Sequence, residues 1–348
     1  MTLDDSGLIE RTDPHRARDV LAAFPAQCRA ALALRAAPAL SIARPRLVVL
    51  AGMGGSAAGA DLIAACAAEG LDVPIVVHRG YGLPPTVDRH ALVVASSYSG
   101  DTEEACSAAD AALERGVPAV FLTAGGRLEA LAARRGVPRV ALPAGLMPRM
   151  ALGYLFLPAL RILRDVDLSV ATDEQVGEAL EVVTSLAEEL APTRPAAKNE
   201  AKALALAIAS RMPVIYGGPV TGGVAYRWKT DVEENAKRFA LAGAVPEMNH
   251  NEVEAWRTPA AASMHAVFLR DREESPQIQL RFTVLRELVE GGGGEVSESR
   301  TRGVGRAARL LGHAYLGAWT SYYLAVAWGT DPWPVPLLDE MKRRIRAV

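Results

Sequence analysis

Between Arg44 and Pro148 the chain alternates short β-branched runs (RLVVLAG, VPIVVHR, HALVVASS, VPAVFLTA and VPRVALP) with alanine-rich stretches. A run that is apolar at nearly every position suits a strand buried on both faces. The rhythm therefore predicts βαβ units forming a parallel sheet with helices above and below. A helical zone follows, MALGYLFLPALRILRDV and TDEQVGEALEVVTSLAEEL, and PTRP at 192–195 reads as a linker. The rhythm then resumes with the strand MPVIYGG, an expected helix over GGVAYRWKTDVEENAKRFALA, the strand HAVFLR and the helix ESPQIQLRFTVLRELVEG, with GGGG at 291–294 as a loop. VVLAGMGGSAAGA and PVIYGGPVTGGVA echo each other: each runs from a β-run through glycines to a hydroxyl residue, Ser56 or Thr221, and a small-residue helix start. The expected fold class is α/β, with two tandem doubly wound parallel sheets in three αβα layers. The expected division is an N-terminal helical segment over 1–44, a first α/β domain over 45–150, a helical connection and linker over 151–195, and a second α/β domain with C-terminal helices over 196–348.

Charge and cysteine content narrow the classes of function. Lys and Arg number 38 against 40 Asp and Glu, for a net charge of −2, so no whole-molecule field attracts nucleic acid or an anionic membrane. No basic helix-turn-helix segment precedes the first strand. Cys28, Cys66 and Cys106 are odd in number and far apart, which implies neither a disulfide framework nor a zinc site. The N-terminus is polar and acidic, unlike a secretory signal, and the chain is read as cytoplasmic. LLGHAYLGAWTSYYLAVAWG at 310–329 nearly reaches the length of a membrane span. It includes His313, Thr320 and Ser321, so it is expected to be a buried core or subunit-interface helix.

Two loops have the chemistry of an anion site. GMGGSAAG at 52–59 joins a strand to a helix, where free N–H groups and the helix dipole favour negative charge; it is neither GxGxxG nor a Walker motif. SSYSGDTEE at 96–104 follows the next expected strand in the same way and presents Ser97, Ser99 and Thr102 around Gly100. One helix cap needs one hydroxyl; three at a helix start, with no lysine or arginine, suit a phosphate held by neutral donors. A third stretch, PEMNHNEVEAW at 246–256, crowds His250 between Asn249 and Asn251 and adds Glu252. Turn chemistry explains the asparagines but not the histidine.

GMGGSAAGADL, SSYSGDTEE and TAGGRLEALA together resemble the sugar isomerase (SIS) domain, whose Ser/Thr-rich loop binds the phosphate of sugar phosphates. RWKTDVEENAK, PEMNHNEVEAW and YYLAVAWGTDPWPVPLLDEMKRRI narrow the resemblance, which runs from about residue 45 to the C-terminus, to the bifunctional phosphoglucose/phosphomannose isomerase family. It implies two SIS domains and a dimer acting on a phosphorylated hexose; the sequence offers no grouped His and carboxylate set that reads as a metal site, so catalysis is expected to use no metal and no cofactor. The resemblance also implies roles: Glu234 as base, His250 as the ring-opening group supplied by the other subunit, and Lys342 as the lysine assisting ring opening. Gly55, Ser56, Ser97, Ser99, Thr102 and Arg149 fall on its substrate-binding side. Two residues depart from the family pattern: Ala318 stands where an acid is usual, and Trp333 where a smaller residue is usual.

These residue types fit the chemistry. Interconverting an aldose and a ketose 6-phosphate requires ring opening, a proton moved between C2 and C1, and a stabilised enediolate. A carboxylate can move the proton, typically for about 10²–10⁴-fold in rate; Glu233, about 100° around a helix from Glu234, reads as a solvated charge. A neutral imidazole exchanges protons near physiological pH, and a guanidinium stabilises an enediolate oxygen. The expected reaction interconverts fructose 6-phosphate with glucose 6-phosphate and mannose 6-phosphate. Isomerisation of another phosphosugar, or a regulator that binds a sugar phosphate without turning it over, are the alternatives. Glu234 and His250 together favour an enzyme, because a sensor needs neither proton-transfer group.

Overall fold

A computed structural model describes residues 3–68 and 70–346. Three short helices, α1 (Ser6–Thr12), α2 (Ala17–Ala22) and α3 (Phe24–Ala31), precede β1 (Ala36–Ala37). The alternation then runs β2 (Leu47–Gly52), α4 (Gly54–Ala67), β3 (Ile75–His78), β4 (Ala91–Ser96), α5 (Glu103–Glu114), β5 (Ala119–Thr123), α6 (Gly126–Arg135) and β6 (Arg139–Ala141). After α7 (Leu152–Arg164), α8 (Asp173–Glu189) and α9 (Glu200–Ile208) come β7 (Met212–Gly217), α10 (Gly222–Asp231), β8 (Leu241–Ala244) and β9 (Met264–Arg270). The chain continues with α11 (Pro276–Gly291), β10 (Glu295–Arg300), α12 (Arg306–Ala327) and α13 (Pro336–Arg346).

The chain forms two compact units: Ala23–Thr184 with Thr301–Gly312, and Met1–Ala22 with Ser185–Arg300 and His313–Val348. Among the described residues, the first unit contains a six-stranded sheet of order β1-β6-β5-β4-β2-β3, parallel except where β1 meets β6. Val49, Val93, Ala95 and Phe121 pack against Cys106, Ala109, Leu128 and Leu131 of α5 and α6. The alternate residues Val48, Leu50, Leu92, Val94 and Val120 are equally buried, so both faces are covered, as a parallel sheet requires.

The second unit contains a fully parallel four-stranded sheet of order β10-β9-β7-β8. Val214, Tyr216, Ala266 and Phe268 of its strands pack with Ile278, Phe282, Leu285 and Val289 of α11. The expected linker at 192–195 is tied down: fully buried Lys202 donates to Pro192 O and Arg194 O, each at 2.8 Å, and to Asp4 Oδ1 at 2.9 Å. A buried ammonium needs such partners to offset its lost hydration. α12 carries most of the apolar run at 310–329, and its Tyr315, Trp319, Tyr322 and Tyr323 are buried. Among the described residues no helix is long and apolar enough to cross a membrane.

One expectation fails in this unit. The helix read from Gly222 through Ala242 stops at Asp231, becomes a π-turn over Val232–Ala236, and ends at Lys237 in the left-handed region (φ 53°, ψ 39°). The following residues become β8, which pairs with β7 from Val214↔Leu241 to Gly217↔Ala244. Ala, Leu and Lys favour helix locally, but pairing with a sheet neighbour outweighs propensities of a few tenths of a kcal/mol per residue. β10 is polar in sequence and carries no apolar run; its pairing with β9 makes it a strand.

Candidate active site

The hydroxyl loop between β4 and α5 is built around Ser97, which is completely buried. Its Oγ accepts from Gly100 N (3.0 Å) and Thr102 N (3.3 Å) and donates to Thr102 Oγ1 at 2.8 Å. Ser97 therefore spends its one O–H inside the loop, while Thr102, as the acceptor, keeps a donor of its own. Thr102 is the N-cap of α5 but makes no side-chain cap, so its hydroxyl is not consumed there. Ser99 is exposed and accepts from Asp101 N at 3.3 Å. Behind these hydroxyls lies the first turn of α5, whose N–H groups have no intrahelical acceptor.

A second loop locks this one in shape. Gly100 has φ 77°, and a Cβ there would come within 1.7 Å of Gly125 O. Leu128 N donates to Gly100 O at 3.0 Å and Arg127 N to Asp101 Oδ1 at 3.0 Å, which turns the Asp101 carboxylate toward the TAGG loop. The loop at the start of α4 meets the same site. Ser56 Oγ accepts from Tyr98 N at 3.2 Å, and a Cβ on Gly55 would lie 2.7 Å from Pro148 O and 2.9 Å from Arg149 N. Glycine at 55 thus lets the start of α4 touch the 3₁₀ turn Pro148–Met150, which carries Arg149, itself 3% exposed. Gly55, Ser56, Ser97, Ser99, Thr102 and Arg149 all lie in the first unit, linked by these contacts.

The echoed loop in the second unit has a different fate. Thr221 is fully buried, donates to Leu269 O (2.7 Å) and accepts from Gly218 N (2.9 Å), so its hydroxyl serves the turn. The candidate chemical groups of this unit lie further along. Glu234 is half-buried on the π-turn, an irregularity frequent at functional sites. Glu233 beside it pairs with Lys229 at 2.8 Å, as an i,i+4 surface charge does.

His250 ends the 3₁₀ turn Glu247–His250 and is exposed. The loop that carries it is anchored from below. Glu252 Oε1 accepts from Tyr216 OH at 2.6 Å, and Tyr216 OH accepts from Trp256 Nε1 at 2.9 Å. Burial, reinforced by the Glu252 carboxylate, pushes the Tyr216 phenol well above its ordinary pKa, so it remains a donor. Asn251 takes Glu252 N on Oδ1 (2.6 Å) and gives Nδ2 to Glu247 Oε1 (3.1 Å), while Asn249 donates to Met248 Sδ at 3.2 Å. Lys342 is exposed on α13. Glu234, His250 and Lys342 stand on three separate elements of one unit.

Two contributors escaped the sequence reading. Tyr98 OH donates to Pro143 O (2.7 Å) and accepts from Leu146 N (3.0 Å), tying the hydroxyl loop to the segment that leads to Arg149. The signal was an aromatic residue inside an otherwise polar loop. Lys237 is the other: it closes the RWKTDVEENAK stretch, but nothing in that stretch shows that it reaches Asp331 O, far along the chain.

A parallel sheet with a hydroxyl-lined strand-to-helix loop defines an SIS-type α/β protein. Residues 197–345 match the family described as the bacterial phospho-glucose isomerase C-terminal SIS domain. The chain is similar to the bifunctional phosphoglucose/phosphomannose isomerase of Caldicellulosiruptor bescii, at 36% identity over 86% of this chain and 90% of the relative. It is similar also to that of Aquifex aeolicus, at 32% identity over 86% and 90%. The crystal structure of a glucose-6-phosphate isomerase like protein from Thermus thermophilus shares the fold, with a TM-score of 0.62 and 21% identity over 99% of each chain. This chain belongs to the bifunctional phosphoglucose/phosphomannose isomerase family.

Proposed function

We infer that the protein is an aldose–ketose isomerase interconverting fructose 6-phosphate with glucose 6-phosphate and mannose 6-phosphate, working as a cytoplasmic homodimer. Within a chain of this family, the observation that carries the reading is the loop of Ser97, Ser99 and Thr102 at the start of α5. Its neutral donors suit a phosphate dianion, and the helix start adds backbone N–H groups. Ser99, Thr102 and Ser56 hold the phosphate, Ser97 shapes the loop, and Gly55 gives the backbone close approach.

The chemistry then follows from the remaining groups. His250, supplied by the second subunit, exchanges a proton with the ring oxygen or C1 hydroxyl to open the ring, and Lys342 assists. Glu234 removes the C2 proton and returns it at C1. Arg149, always charged, stabilises the enediolate oxygen between those steps. Glu233 is occupied by Lys229 and takes no part.

A coupled assay on the three hexose 6-phosphates tests the reading. Fructose 6-phosphate is expected to yield both aldoses, with activity kept in excess EDTA because Arg149 supplies the positive charge. Turnover of none of the three would overturn it; loss in chelator restored by zinc would overturn the metal-free mechanism.

The anion site has its own test. Thr102→Ala removes a hydrogen bond to a charged group and is expected to weaken affinity for substrate and for inhibitory phosphate by about 1.5–3 kcal/mol. Ser97→Ala is expected to weaken both indirectly, because Gly100 N and Thr102 N lose their acceptor. Unchanged substrate and phosphate affinities in the double variant would move the anion site elsewhere.

A further inference from the structure

The turn that carries Glu234 is held on its downstream side. Upstream, Glu233 makes a part-exposed ion pair with Lys229, of a kind that contributes little. Downstream, Asn235 Nδ2 donates to Ser321 Oγ at 2.9 Å, and Asn235 O accepts from Lys237 Nζ at 3.1 Å. The same ammonium donates to Asp331 O at 2.7 Å. It thus joins a carbonyl of the π-turn to a turn almost a hundred residues further along. Lys237 does this from the left-handed region, φ 53°, which residues other than glycine rarely occupy and which recurs where function over-determines the backbone.

The receiving turn is braced in its turn. Asp331 Oδ1 accepts from Trp333 N at 2.9 Å, and Oδ2 meets His15 Nδ1 at 2.7 Å. The His15 ring stacks on Trp333 with centroids 6.5 Å apart and planes 15° apart. Trp333 thus packs onto the brace. A carbonyl near a helix C-terminus is short of donors, so a cation bridging it to a braced partner sets where the turn can lie.

We propose that Lys237 is a positioning residue for the isomerase reaction: its ammonium, clamped between Asn235 O and Asp331 O, fixes the direction from which Glu234 meets the substrate carbon. The proposal rests on Glu234 being the base. A base displaced by about 1 Å costs up to roughly 10²-fold in rate while leaving substrate binding intact.

The test uses the full-length enzyme with three variants at position 237 and Glu234→Gln beside them. Lys237→Met removes the ammonium and keeps much of the side-chain length. Lys237→Gly also removes it but suits the left-handed backbone, so it folds without the strain. Both are expected to lower kcat by roughly 10- to 100-fold with KM within about twofold and an unchanged thermal midpoint. Lys237→Arg, which keeps the charge and the donors, is expected to recover most of the loss. Full kcat in Lys237→Met and Lys237→Gly, with Glu234→Gln inactive, would overturn the proposal and leave the base assignment standing. A loss of kcat that tracks a lowered thermal midpoint in Lys237→Gly would overturn it too, as would an arginine variant no better than methionine. An active Glu234→Gln would instead remove the base assignment on which the proposal rests.

Discussion

Glu234→Gln is expected to lower turnover by at least about 10²-fold, because glutamine keeps the shape of the side chain and loses the base. Substrate should still bind, since the contacts proposed for the phosphate do not involve Glu234 and the amide fills the same volume. Glu233→Gln is the matched control. It breaks an ion pair with Lys229 whose side chains are both about a quarter exposed, and such pairs contribute little to stability. Its kcat and KM should stay within about twofold of wild type. Equal losses in the two variants would show that the turn needs its charge as a whole and that Glu234 has no special part. Steady-state kinetics on fructose 6-phosphate, with binding measured separately by titration, separate those outcomes.

Mixing Glu234→Gln and His250→Ala subunits, each inactive alone, is expected to restore activity. If each site takes Glu234 from one subunit and His250 from the other, a heterodimer collects both lesions in one site and has the second intact. Random reassortment makes half the dimers mixed, so about one quarter of wild-type activity should return. His250 is exposed on its turn, and α13 is exposed along Leu337, Leu338, Met341 and Ile345, apolar residues that a second copy would cover. If each site is built within one chain, every site in the mixture stays damaged. Heterodimers seen by native mass spectrometry without recovered activity would defeat the shared site.

Much of the first unit was legible because its information is local. β2, β4 and β5 are apolar at every position before their last, and such a run suits a strand covered on both faces. The hydroxyls of SSYSGDTEE lie at a strand-to-helix junction, where the geometry of an anion site is set by consecutive residues. Even there the division of labour was hidden. Ser97 and Thr102 look alike in sequence, yet one is sealed inside the loop and the other sits at a helix N-cap position without capping through its hydroxyl.

Taken by itself, the sequence determined the α/β class, the positions of most strands, the place of the hydroxyl loop and the family, through EENAK and PEMNHNE. Periodicity and motif chemistry depend on near neighbours, and near neighbours are what a sequence displays. Tertiary structure alone decided the fate of residues 232–242. A helix was expected there because Ala, Leu and Lys favour one, and the chain instead makes a π-turn, a left-handed Lys237 and the edge strand β8. The reason is that β7 offers β8 a ladder of backbone hydrogen bonds and Asp331 O offers Lys237 an acceptor, and both partners are distant in sequence. Local propensities differ by tenths of a kcal/mol per residue, whereas a buried backbone group left without a partner costs about 1–3 kcal/mol, so the distant partners prevail.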